Sequence, residues 1–156
     1  MIDTKRLFLG VYVDSKLFEN KYDKIIRDFD SSSFGNWVKP ENLHFTVKFL
    51  GDVRSDMIDE IVANTEQFLD VQESTVTFNG LGALPDRGMP RVLYAPFANP
   101  DDSVIEIHQK IDDVLGAMGF EKETKKFLPH VTLLRVKSAT NAFRSVLSKY
   151  RTFEFG

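Results

Sequence analysis

The sequence predicts a fold of two pseudo-symmetric lobes, each built of strands and helices in β-α-β-α order, with the two motif strands facing each other across a central cleft. Three observations predict it. The tripeptide His-x-Thr occurs twice, as His44-Phe45-Thr46 and His130-Val131-Thr132, each inside an apolar run of strand character. A second pair of similar runs, Arg6 to Val13 and Arg91 to Ala98, precedes them at nearly equal distance: His44 follows Arg6 by 38 positions and His130 follows Arg91 by 39. Helical patterns then fall at the same places in both halves. A long period that occurs only twice points to two halves around a pseudo-two-fold axis, not to a solenoid.

In order along the chain, the first strand, Arg6 to Val13, ends at Asp14-Ser15, residues suited to cap a helix over Leu17 to Phe29. Asp30 to Asn36 reads as a polar loop. Trp37 to Asn42 leads into the first motif strand, which is expected to stop at Gly51-Asp52. A helix over Ser55 to Leu69 follows, and Ser74 to Phe78 alternates Thr with apolar residues as a strand does. The Gly- and Pro-rich stretch from Gly80 to Pro90 separates half-repeats of about 6–80 and 91–156 within one domain spanning 1–156. In the second half, Asn99-Pro100-Asp101-Asp102 opens a helix over Val104 to Met118, with Pro100 near its first turn and Gly119 at its end. Another helix is expected over Ala139 to Tyr150. Arg151 to Phe155 then begins the counterpart of Ser74 to Phe78, so short that it suggests either a compact natural ending or a truncated chain.

Composition narrows the function. At 42% hydrophobic residues with 14 Phe, 156 residues can bury a core, which excludes a disordered chain. No run approaches the ~18 apolar residues of a membrane span, and Met1 leads into Asp3 and Lys5 without a signal-peptide pattern. A cytoplasmic monomer away from membranes is expected. With no cysteine, thiol catalysis, disulfides and cysteine-bound zinc are excluded. A net charge of −3 argues against coating nucleic acid broadly, so a phosphate-bearing ligand must be gripped by a few aimed groups.

Along a strand side chains alternate, so His44 with Thr46, and His130 with Thr132, share a face, while Phe45, Val47, Val131 and Leu133 anchor the other. Two of only three histidines therefore stand in matched settings. Imidazole titrates near ~6.5, so one ring can accept a proton while its partner donates one. That pair suits in-line displacement at phosphorus without metal, cofactor or covalent intermediate. Zinc takes three or four ligands, and the threonines two places along are poor ligands for it but good donors to phosphoryl oxygens. Arg135, five places after His130, could fork onto phosphate oxygens, but odd spacing sets it on the wrong face unless the strand bulges. Lys48, four places after His44, has the right phase for a backbone contact, and a solvated charge at a strand end is the equal alternative. Phe8 and Trp37 are possible platforms for a base, with core packing as the default for both. Lys122, Lys125 and Lys126 form a small basic loop, and His108, without an echo in the other half, reads as a surface residue.

These residues resemble the two-histidine phosphoesterase superfamily, and within it the RNA 2′,3′-cyclic phosphodiesterases, also called 2′-5′ RNA ligases. The matching text is Lys5 to Phe8, Trp37 to Gly51, Gly80 to Pro85, Arg91 to Tyr94 and Pro129 to Val136, spread over nearly the whole chain. The resemblance implies two α+β lobes around a cleft, no metal or nucleotide cofactor, and hydrolysis of an RNA 2′,3′-cyclic phosphate to a 2′-phosphate with weak reversible 2′-5′ joining. It implies His44 as proton donor to the 3′ leaving oxygen, His130 as proton acceptor from water, and Thr46, Thr132 and Arg135 as phosphate holders. Members of the family continue for another strand or two, including a Ser-containing strand and a Gly-Tyr turn, which this chain lacks. The partners implied are RNA ends or small nucleotides carrying a cyclic phosphate. Two other readings stand beside it: a non-catalytic module binding a nucleotide or RNA end, and a sister phosphodiesterase for small cyclic phosphates or 2′-5′ oligonucleotides. Intact His/Thr pairs favour an enzyme, because binding alone needs no paired proton carriers.

Overall fold

The computed structural model describes residues 3–14, 16, 18–69, 77–98 and 102–152. They form an α+β fold of β1 (Thr4–Tyr12), α1 (Glu19–Phe29), β2 (Ser33–Trp37), β3 (His44–Arg54), α2 (Ile58–Leu69), β4 (Gly82–Leu84), β5 (Val92–Pro96), α3 (Asp102–Ala117), β6 (His130–Ala139) and α4 (Ala142–Ser148). No helix among the described residues is long and apolar enough to cross a membrane.

The chain divides into two compact units of three segments each: residues 1–10, 46–75 and 100–128, and residues 11–45, 76–99 and 129–156. Neither unit is one half-repeat. The first holds α2 and α3, the second helix of one half with the first helix of the other; the second holds α1 and α4, the complementary exchange.

In the second unit β5 lies between β4 and β6, all antiparallel, and the other edge of β6 carries β2. Leu93 and Ala95 of β5 and Val131, Leu133 and Leu134 of β6 turn to one side and are fully buried. Against that side α1 sets Tyr22, Ile25 and Phe29, spaced as one helical stripe. Phe143 of α4 meets Phe29 with ring centroids 5.1 Å apart. In the first unit β1 is hydrogen-bonded to β3, and α2 and α3 contribute Ile61, Val104, Ile111 and Leu115 to the core. Helix α3 ends at Gly119, whose φ of 99° suits glycine, with the Phe120 amide donating to the Leu115 carbonyl over 3.0 Å.

Several sequence expectations change. The polar stretch expected as a loop over Asp30 to Asn36 contains β2, because pairing with the distant β6 outweighs local composition. The connector contains β4, which pairs antiparallel with β5 next along the chain. Helix α1 starts at Glu19 after Phe18, not on a cap from Asp14, whose Oδ1 accepts the Lys16 amide instead; Ser15 and Leu17 lie outside the described residues. Strand β3 continues past Gly51, which takes a φ of 73°, to Arg54. Helix α4 is shorter than expected because β6 runs to Ala139. Of the strand expected over Ser74 to Phe78, residues 74–76 lie outside the described residues, and Phe78 makes an isolated bridge to Phe97. Residues 99–101 and 153–156, where a helix start and a final strand are expected, also lie outside them. Arg151 and Thr152 are in a turn.

Candidate active site

Both motif histidines are the first residues of their strands, β3 and β6. These strands meet at one antiparallel pair, Phe45 with Val131. Paired residues share a face, and their chain neighbours take the opposite one. His44 and Thr132 therefore stand side by side on the face away from the core that buries Val131. His44 and His130 are diagonal neighbours in this register, a placement that sets Cα atoms ~7–8 Å apart. Each histidine precedes the paired residue by one and each threonine follows it by one, so the register has a local two-fold at Phe45 and Val131. Thr46 follows His44 on the same side of β3. All four motif side chains are half-buried.

Local structure sets the His44 ring. Pro40–Asn42 form a single 3-10 turn with proline at its start, and the Asn42 amide closes it on the Lys39 carbonyl at 2.8 Å. Leu43, fully buried, clamps the turn beneath β3. The Asn42 carbonyl then lies 2.8 Å from His44 Nδ1. A carbonyl only accepts, so Nδ1 carries the proton and Nε2 is the nitrogen that can exchange a proton with a ligand.

Arg135 reaches the histidine face through a β-bulge. On β5, Val92, Tyr94 and Pro96 share one face, and their partners on β6 are Arg135, Thr132 and His130. Leu93 pairs with Leu134 and Tyr94 with Thr132, so Leu133 is the extra residue. The phase change explains why Leu133 and Leu134, adjacent in sequence, are both fully buried. The bulge is held by the Val38 amide, which donates to the Leu133 carbonyl at 2.8 Å, and by the Tyr22 hydroxyl, 3.1 Å from the same oxygen and 2.5 Å from the Val38 carbonyl. Burial pushes the Tyr22 hydroxyl well above its ordinary range, so it serves as a neutral donor. On its other edge Arg135 pairs with Asn36, and Gly35 sits so close that a Cβ there would be 2.1 Å from the Arg135 carbonyl oxygen. Only glycine fits. The Arg135 side chain is exposed.

The remaining candidates sit elsewhere. Lys48 is neither a solvated charge nor open: its side chain is 6% exposed, its ammonium is paired with Asp112 of α3, and it also donates to the Glu121 carbonyl at 2.8 Å. Desolvation pushes the Asp112 carboxyl up, but the Lys48 hydrogen bond, the Glu123 amide and the charges of Lys48 and His108 outweigh it and leave the group below its ordinary value. Trp37 packs half-buried on Tyr22 and Phe29, at centroid distances of 6.0 and 6.5 Å. Phe8, on β1 in the first unit, is half exposed and 6.1 Å from the Phe49 ring. Lys122 pairs with Asp113 on the surface at 2.6 Å.

The reading of His108 as a surface residue is corrected. Its ring stacks on Phe127 with centroids 3.9 Å apart and 3° between planes, and its Nδ1 lies 2.9 Å from the Val47 carbonyl. Sequence reasoning also misses two tyrosines that flank the motif histidines. Tyr12 is 6.4 Å from His44 and Tyr94 is 5.0 Å from His130, both nearly edge-on. The sequence signal for both is that Tyr12 lies in the run Arg6 to Val13 and Tyr94 in its repeat, Arg91 to Ala98.

Comparison with known proteins places the chain in a family. The model of the family described as LigT like Phosphoesterase matches residues 17–94 and 96–156. An RNA 2′,3′-cyclic phosphodiesterase of Aquifex aeolicus is 31% identical over 157 residues, covering 97% of this chain and 81% of the relative. One of Methanocaldococcus jannaschii is 32% identical over 153 residues, covering 97% and 84%. Among solved structures, a Thermus thermophilus protein superimposes with a TM-score of 0.72 at 22% identity, covering 87% of this chain and 76% of that one. E. coli LigT complexed with 3′-AMP gives 0.67 at 21%, covering 89% and 76%. At those identities the structures speak for the fold alone, but the sequence matches go further, and the chain belongs to the LigT-like phosphoesterase family.

Proposed function

We propose that this protein hydrolyses RNA 2′,3′-cyclic phosphate ends to 2′-phosphates by a metal-independent acid/base mechanism, with reversible 2′-5′ joining when the 5′ hydroxyl of a second RNA end attacks the cyclic phosphate in place of water. The observation that carries the reading is the Phe45–Val131 register, which puts a His and a Thr from the two motifs on one face. Activity and substrate class rest on the resemblance to the Aquifex and Methanocaldococcus phosphodiesterases.

In the proposed reaction a water oxygen attacks phosphorus and loses a proton to His130. The bond from phosphorus to the 3′ oxygen breaks, and that oxygen takes a proton from His44. Anchoring of His44 Nδ1 on Asn42 suits this role, because the ring keeps one orientation before and after it gives up its Nε2 proton. Thr46, Thr132 and Arg135 hold the non-bridging oxygens, on which charge builds in the transition state. The partner is an RNA end or small nucleotide carrying a cyclic phosphate.

The test is RNA ending in a 2′,3′-cyclic phosphate, incubated with the protein in EDTA. The expected product is a 2′-phosphate, with a bell-shaped pH profile of kcat/KM, and His44→Ala and His130→Ala should each lose about 10²–10⁴-fold in rate while keeping the folded circular-dichroism spectrum. Full activity in either variant, or dependence on added metal, overturns the mechanism.

A further inference from the structure

The second unit contains an aromatic contact that the motif does not call for. Tyr94 stands on the face of β5 shared with His130, Thr132 and Arg135, directly opposite Thr132 and diagonal to His130. Its ring lies 5.0 Å from the His130 ring at 61°. On its other edge β5 pairs with β4, and Tyr94 is opposite Gly82. A Cβ at Gly82 would fall 2.5 Å from both Cζ and Oη of Tyr94, so the phenol ring occupies the space that any other residue would fill. Glycine in a strand interior weakens the strand, and an aromatic ring laid across it from the neighbouring strand restores the packing. Tyr94 is thus half-buried and held between the backbone of β4 and the imidazole of β6.

We propose that Tyr94 is a positioning residue for His130. Its ring, backed by Gly82, blocks rotation of the imidazole about its last side-chain bond and keeps one ring nitrogen aimed at the attacking water. His44 has a hydrogen bond to the Asn42 carbonyl, and the packed Tyr94 ring lies against His130. A proton acceptor needs its nitrogen within hydrogen-bond reach of the reacting oxygen, and small misplacements cost large factors in rate. Because the ring is the working part, the phenol hydroxyl is dispensable. The proposal rests on His130 being the proton acceptor.

Kinetics and NMR on the full chain test it. Tyr94→Leu should lower kcat about 10- to 100-fold and leave KM within about two-fold, whereas Tyr94→Phe should retain nearly all activity. Gly82→Ala, which forces the phenol ring to shift, should lower kcat in the same direction. The His130 imidazole resonances of ligand-free protein should move in Tyr94→Leu, where the neighbouring ring current is lost, and stay in place in Tyr94→Phe. If Tyr94→Leu does not fold, Tyr94→Met replaces it, filling more of the space without a ring. Parent kcat in the ringless variant overturns the proposal, as does an equal loss in Tyr94→Phe, which would make the hydroxyl the important group. An active His130→Ala would instead overturn the functional reading itself.

Discussion

Lys48 and Arg135 are the basic residues that follow the two motifs, four places after His44 and five after His130, and the fold treats them in opposite ways. By strand phase Lys48 belongs with its histidine and Arg135 does not. Yet Lys48 is buried against Asp112 and the Glu121 carbonyl. Arg135 is carried to the histidine face by the extra residue Leu133. The difference teaches that parity along a strand decides a side chain's face only as far as the next bulge. It also separates two uses of a positive charge. One neutralises a carboxylate inside the protein; the other stands in solvent on the histidine face.

The largest effect is expected where the charge is buried. Lys48→Met leaves Asp112 without its cation, and breaking a buried pair from one side typically costs about 3–5 kcal/mol. A thermal melt near neutral pH should show the loss. The pH dependence sharpens it. The Asp112 carboxyl is held below its unfolded value, so its contribution is present above about pH 3.9 and is lost as pH falls through the lower folded value. In Lys48→Met desolvation is opposed only by the Glu123 amide and His108, and the loss of stability in acid should shrink. An unchanged acid limb would show that the pair contributes little.

Arg135 should behave in reverse. Arg135→Ala should leave the melting temperature within experimental scatter and raise KM for a cyclic phosphate end about ten-fold, as loss of a charge-assisted hydrogen bond does. Arg135→Lys should recover little of it, because the planar fork is gone. Parent kinetics in Arg135→Ala would mean that the bulge presents the side chain to solvent alone.

The smallest effect is expected at a third basic residue. Lys24 pairs with Asp28 at 2.9 Å on the surface of α1, with side chains 54% and 39% exposed. The Asp28 carboxyl is held low by the Tyr150 hydroxyl and then by Lys24. Solvent screening limits such pairs, and Lys24→Ala should cost no more than about 0.5 kcal/mol. A larger loss would make exposure a poor guide to what these ion pairs contribute.

Much of this architecture is legible in the amino-acid sequence. Alternation places the motif strands, and apolar periodicity places the helices, within a few residues at their ends. Two strands are hidden in stretches rich in loop residues: β2 is a strand because β6, distant in sequence, offers it hydrogen bonds, and β4 because β5, next along the chain, does. The fate of Arg135 is legible as a condition, and the adjacent pair Leu133-Leu134 is the trace of the bulge that meets it. His108 is misread from sequence because its partners, the Val47 carbonyl and the Phe127 ring, are set by packing and not by any local pattern. Tyr94 escapes notice because it reaches His130 from another strand, and only the register reveals that.

The bulge at Leu133 also has a genetic meaning. Inserting or deleting one codon upstream of Arg135 in β6 exchanges the face of every residue between that point and the next irregularity, without substituting any of them. Arg135 and Leu134 would trade an open surface for the core in a single step. A charge on the histidine face can therefore be acquired or lost by a change in length where every amino acid is retained. Strand β6 is accordingly where relatives of unequal length should be aligned by their hydrogen-bond register before their residues are compared.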